Sequence, residues 1–148
     1  MSKYQDPRFY WDSETFEAMC IITDDNGKTY VGTAKCHEDD LDFGTQKDGC
    51  VIAMYRANIK YFQSVRDNEI KPALKALKEV YHSMNRSYKF NPNSYENKML
   101  QRKIQQYQFD LDTIKEMLVD ERKKLKTFID EKENQYKKIR DIIVDKNN

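Results

Sequence analysis

Between Ser94 and Val144 the chain has neither glycine nor proline, and its apolar residues recur at alternating steps of four and three. That spacing holds one stripe on one side of an α-helix, so this part of the sequence is constrained to a single long helix that packs along its length. Written as heptads, the a positions are Ile104, Leu111, Leu118, Leu125, Lys132 and Ile139. The d positions are Leu100, Tyr107, Ile114, Glu121, Phe128, Gln135 and Ile142. Only Glu121, Lys132 and Gln135 interrupt a coiled-coil-like seam. A helix over residues 94–144 is roughly 75 Å long at 1.5 Å per residue. The helical region before it covers only part of that length if it is kinked. A second copy of the chain is the economical cover for the rest, so a homodimer or higher homo-oligomer is expected through Leu100, Ile104, Tyr107, Leu111, Ile114, Leu118, Leu125, Phe128, Ile139 and Ile142.

The N-terminal part reads differently. Thr15 to Thr23 and Lys28 to Lys35 are strand-like runs on either side of Asp25-Asn26-Gly27-Lys28. Asn-Gly suits the two central positions of a type I′ turn, which predicts an antiparallel hairpin. With Asn26 and Gly27 as the loop, Ile22 faces Val31, Cys20 faces Thr33, Ile21 faces Gly32 and Met19 faces Ala34. Cys20 and Cys36 then fall on opposite faces, which disfavours a disulfide between them. Both faces are apolar, so the hairpin is expected to be covered on one side and to meet a helix or partner on the other. Residues 5–11, with Arg8-Phe9-Tyr10-Trp11, read either as a third strand at the edge or as an arm that packs on the body.

Residues 36–44 form an acidic loop, and Thr45 is placed to N-cap a helix with Asp48 as its capping-box partner. Apolar residues follow at Ile52, Tyr55, Ile59 and Phe62, then at Ile70, Leu74, Leu77, Tyr81 and Met84. The step from Phe62 to Ile70 is one residue too long for the stripe, and Pro72 would clash with the carbonyl of Asn68. A kink or break at residues 66–71 accounts for both, giving a kinked helix over about 46–87, a turn at 88–93 and the long helix over about 94–144. The expected fold class is therefore α+β, mainly α, as one structural unit: a β-hairpin head at 1–44 packed on a helical body at 45–148.

Charge divides at the same place. The net charge of +1 is the sum of −6 over residues 1–44 and +7 over 45–148. An acidic head on a basic body can orient a partner or a second copy. A third of the residues are charged and there are only 4 Gly and 3 Pro, which favours long helices with solvated faces. The start of the chain lacks the apolar run of a secretory leader, and no 18-residue apolar stretch occurs. Cys20, Cys36 and Cys50 are an odd count, read as free thiols in a reducing cytoplasm.

No catalytic constellation emerges, so no enzyme activity is expected, and no cofactor. The cysteines and His37 lack the paired spacing of a zinc site, and the acidic run Glu38-Asp39-Asp40 with Asp42 lacks the alternation of a calcium loop. The two histidines, His37 and His82, stand without a nucleophile motif or a phosphate-cradling glycine loop. Basic residues cluster at Lys123, Lys124 and Lys126 and again at Lys137, Lys138 and Arg140, with Arg86 and Lys89 in the turn and Tyr88 and Tyr136 as neighbouring aromatics. Asp120, Glu121, Asp130, Glu131 and Glu133 lie among them, which argues against direct binding of bare nucleic acid and for solvation or interhelical pairing.

The stretch Val31-Gly32-Thr33-Ala34-Lys35-Cys36-His37-Glu38-Asp39-Asp40-Leu41-Asp42-Phe43, with Gly49-Cys50-Val51-Ile52-Ala53-Met54-Tyr55-Arg56-Ala57 after it, resembles small accessory proteins of phages and prophages of Gram-positive bacteria. In these a Gly-x-Ala-x-Cys strand leads through an acidic loop to a helix carrying Ala-x-x-Arg-Ala. The resemblance covers residues 31–57 and implies a phage origin and a hairpin–helix core, with Ala53 and Ala57 allowing close helix–sheet packing and Arg56 answering the loop carboxylates. Some phage proteins of this size inhibit bacterial defence, anti-CRISPR proteins among them. The expected function is thus a non-catalytic inhibitor of a host protein or ribonucleoprotein defence complex. Its contacts would be Lys123, Lys124, Lys126, Lys137, Lys138 and Arg140, together with Asp39, Asp40 and Asp42. A coiled-coil scaffold of the phage particle is the alternative. A sponge for a signalling nucleotide, with Arg56 or Arg86 holding phosphate, is the weaker one.

Overall fold

The structure, a computed structural model, describes residues 6–35, 46–86 and 91–147. The acidic loop, the Thr45 cap, Cys36, His37, Asp39, Asp40, Asp42, Tyr88 and Lys89 lie outside the described residues. The chain is mainly helical, with a three-stranded antiparallel sheet near its N-terminus and a long C-terminal helix. Strands β1 (Arg8–Asp12), β2 (Glu17–Thr23) and β3 (Thr29–Lys35) lie in the order β1-β2-β3. Helix α1 (Gln46–Ser64), a π-helical turn (Val65–Ile70) and α2 (Lys71–Asn85) follow, and α3 runs over Tyr95–Asn147.

Two compact units divide the chain. One comprises Phe62–Leu118, the other Ser2–Tyr61 with Val119–Asn148. Neither unit ends at Gly44; both crossings fall inside helices, where the hydrophobic stripe runs on without a change in composition.

In the first unit the helical stretch does not break at residues 66–71. It widens instead: Lys71 N–H donates to the carbonyl of Arg66, five residues back. A π-turn holds one residue more than an α-turn, which is the extra residue in the step from Phe62 to Ile70. Pro72, at the start of α2, brings no N–H to the ladder, so the turn before it is where the ladder loosens at least cost. Val65, Ile70 and Leu74 are buried, as are Leu111, Ile114 and Leu118 from α3. Ser94 begins α3 by accepting the Asn97 N–H at 3.3 Å on Oγ.

In the second unit the hairpin forms, in a different register. Its loop has three residues, with Gly27 N–H donating to the Asp24 carbonyl at 3.1 Å and Asp24 N–H to the Lys28 carbonyl at 2.9 Å. Gly27 has φ of 80°, so this is a type I turn closed by a left-handed glycine. Ile22 therefore pairs with Tyr30, Cys20 with Gly32 and Ala18 with Ala34. The cause is Asp24. Its Oδ1 accepts the N–H groups of Asn26 and Lys28, each at 2.9 Å, and its Oδ2 accepts the Tyr30 hydroxyl at 3.0 Å. Burial works against the Asp24 charge, but these donors outweigh it and hold its carboxyl below the usual range. The register that disfavoured a Cys20–Cys36 bridge is not the one formed, but the conclusion for Cys20 stands: Cys20 is a buried free thiol, and Cys36 lies outside the described residues.

The one-residue shift gathers Ala18, Cys20, Ile22, Tyr30, Gly32 and Ala34 on one buried face. Helix α1 presents Gly49, Ala53, Ala57 and Tyr61, every fourth residue, as its buried side. A Cβ added at Gly32 would fall inside the van der Waals envelope of the Ala53 carbonyl oxygen and the Ala57 amide nitrogen. Beyond the glycine, Tyr30 and Tyr61 meet edge to face at 5.4 Å. Ala18, Cys20, Ile22, Ala34, Ala53 and Ala57 form one cluster, with Trp11, Cys50, Ile52 and Met54 packed against it. In the β1–β2 loop, Phe16 adopts φ of 55° while its ring packs on Trp11, and Asp12 Oδ1 accepts the N–H groups of Glu14 and Thr15.

Replacing Gly32 with Ala is expected to destabilise the protein by about 3 kcal/mol, because the methyl meets backbone rather than a movable side chain. Urea unfolding against a Thr33→Ala control measures it. Burial, reinforced by the neighbouring Cys50, pushes the Cys20 thiol up to about 11, and burial raises Cys50 as well. A thiol that stays protonated in the folded chain binds one proton more than its unfolded counterpart above pH 9, so stability falls as pH rises from about 9 to about 11. That fall should be shallower in Cys20→Ala, read as the slope of unfolding free energy against pH.

Candidate functional site

The second half of α3 packs on the side of α1 that faces away from the sheet. Asp48, Tyr55 and Asn58 lie along that side of α1, and Glu121, Phe128, Lys132 and Tyr136 answer them in antiparallel order. Asn58 Nδ2 donates to Glu121 Oε1 at 3.0 Å, and the Tyr55 and Phe128 rings lie 6.3 Å apart. Asp48 Oδ1 is 3.4 Å from Lys132 Nζ, and its Oδ2 accepts the Tyr136 hydroxyl at 2.5 Å. Two of the three polar interruptions of the heptad, Glu121 and Lys132, thus have partners within the chain. Such half-buried polar pairs fix register more than they add net stability. Tyr136 serves Asp48.

The seam residues divide by burial. Leu111, Ile114 and Leu118 are buried in the chain, while Leu100, Ile104, Tyr107, Leu125 and Phe128 are half-buried. Past Tyr136 the same face emerges into solvent, with Ile139, Ile142 and Ile143 exposed by 40%, 54% and 42%. This segment extends roughly 16 Å beyond Tyr136 at 1.5 Å per residue.

The six basic residues do not form one patch. Lys123 and Lys124 line an open groove of about 320 Å³ with Tyr55, Asp120, Thr127, Phe128 and Glu131. Lys124 is tied to Asp120 at 3.0 Å. Lys126 lies on another side of the helix, beside Arg122, Leu125, Ile129 and Asp130. Lys137, Lys138 and Arg140 are exposed around the emergent isoleucines. Asp39, Asp40 and Asp42 lie outside the described residues.

Arg56 has a role that its sequence context did not reveal. Its Nη1 donates to the Thr33 carbonyl at 2.7 Å, and Lys60 Nζ, one turn on, donates to the Val31 carbonyl at 2.7 Å. Together they occupy the outer edge of β3. Among the described residues no three His, Cys, Asp or Glu side chains gather as a metal site, and no helix is long and apolar enough to cross a membrane. No family model, curated protein or solved structure matches the chain.

Tyr136→Phe removes a hydrogen bond to a carboxylate and is expected to cost about 1.5 kcal/mol. Amide exchange should quicken from residue 132 onward while the sheet stays protected.

Proposed function

We propose that this is a phage accessory protein that acts without chemistry, as a stoichiometric inhibitor that occupies the surface of a bacterial defence complex, of the anti-CRISPR type. The observation that carries the reading is the emergent end of α3. Ile139, Ile142 and Ile143 lie at i, i+3 and i+4 and are exposed on a face that is packed further up the helix. Lys137, Lys138 and Arg140 border them. An apolar ridge with a basic margin suits a groove whose rim is acidic, either carboxylate or phosphate, and the mode is that of a helix laid into a groove. A defence ribonucleoprotein, where protein and nucleic acid meet, offers such a rim. The resemblance of residues 31–57 to phage accessory proteins supplies the class of partner.

Expression in a bacterium with an active CRISPR system is expected to restore plating of a targeted phage. Ile139→Asp with Ile142→Asp should abolish the effect without lowering the melting temperature, since both side chains are already exposed. Lys137→Glu with Lys138→Glu should weaken capture of the purified effector about tenfold and flatten its salt dependence. Undiminished interference across the effector types tested would overturn the reading.

A further inference from the structure

The two edges of the sheet are not alike. Arg56 and Lys60 occupy the outer edge of β3. Among the described residues no hydrogen bond reaches the outer edge of β1. Which groups of β1 that edge presents follows from the ladder. The carbonyls of Val31 and Thr33 point away from β2, so Tyr30, Gly32 and Ala34 bond to it, and Ala18, Cys20 and Ile22 answer them. Backbone direction alternates along a strand, so Glu17, Met19 and Ile21 turn toward β1, where Asp12, Tyr10 and Arg8 are their partners. Phe9 and Trp11 are left with both N–H and C=O directed outward.

We infer that this edge pairs antiparallel with β1 of a second copy, centred on Tyr10. The strand Arg8-Phe9-Tyr10-Trp11-Asp12 is complementary to its own reverse. With Tyr10 opposite Tyr10, Phe9 lies opposite Trp11 of the second copy and Arg8 lies opposite Asp12, each pair occurring twice about the two-fold axis. The backbone parity agrees. Phe9 and Trp11, the outward-directed residues, form the hydrogen-bonded pairs, while the Tyr10 pair and the Arg8–Asp12 pairs are the closer, non-hydrogen-bonded kind that favours side-chain contact. Phe9 and Trp11 share the face that holds Cys20 and Ala18, so the aromatic pairs extend the apolar side of the sheet. Phe9 and Tyr10 are 45% and 52% exposed in the single chain, and the pairing covers them. Pro7 has no N–H and ends the ladder after five residues.

The surface is small, so association is weak and depends on concentration. Light scattering of the full chain up to about 0.5 mM is expected to show the mass rising from 17.8 kDa toward twice that value. Arg8→Glu turns both ion pairs into repulsions and should raise the dissociation constant about tenfold, with the melting temperature of the dilute protein unchanged. Tyr10→Cys places two thiols across the axis, within reach of a disulfide, and should give a covalent dimer on mild oxidation, whereas Ser13→Cys should not. A mass that stays at 17.8 kDa overturns the inference. So does a dimer that survives Arg8→Glu but is lost on Ile142→Asp, which belongs to α3, and so does a Tyr10→Cys chain that fails to cross-link.

Discussion

The sheet-bearing unit depends on how closely β3 approaches α1. At Gly32 there is no side chain between the two backbones, and Ala53 and Ala57 contribute only a methyl each. Because the strand lies so near the helix axis, the longer side chains on the flank of α1 reach past it, and Arg56 and Lys60 close on carbonyls at the strand's outer edge. The same contact seals Cys20 from solvent and lets Tyr30 and Tyr61 meet beyond the glycine. It also fixes which side of α1 faces away from the sheet, and that side carries Asp48, Tyr55 and Asn58 to the second half of α3. One absent Cβ thereby sets the order of three layers.

Periodicity made the long helix legible, along with the side on which it is buried, since Leu111, Ile114 and Leu118 follow from spacing alone. It could not say what would cover them. Spacing records a face and carries no information about the molecule opposite, so a second chain and a preceding helix look the same. The polar positions Glu121 and Lys132 read as flaws in the seam. Their partners, Asn58 and Asp48, sit too far along the chain to be associated with them by pattern. The slip in the stripe before Pro72 was legible as an irregularity; that it takes the form of a π-turn depends on backbone hydrogen bonds that residue types do not encode.

The hairpin shows how little separates a right turn from a wrong register. Asn-Gly indicated where the chain reverses. Asp24 decided the pairing, through a side chain that gathers two amides and a tyrosine hydroxyl. An aspartate three residues before a glycine is the pattern of a type I turn closed by a left-handed residue. Giving it precedence over Asn-Gly would have put Cys20 opposite Gly32 and explained the thin strand face at once. The basic residues were legible as a list but not as a group. A single step along a helix turns a side chain by about 100°, so Lys124 and Lys126, two apart, face different grooves.

The arrangement of the sheet edges bears on how far association can go. An extended backbone adding to β3 would have to displace a guanidinium and an ammonium from carbonyls they already satisfy. Growth on that side is therefore closed by chemistry rather than by bulk. On the other side, union of two β1 strands would use up the edge that the described residues leave open, so the product would have a cationic clasp at both ends. A sheet paired in this way would double and then stop, so its strands would not seed a fibre.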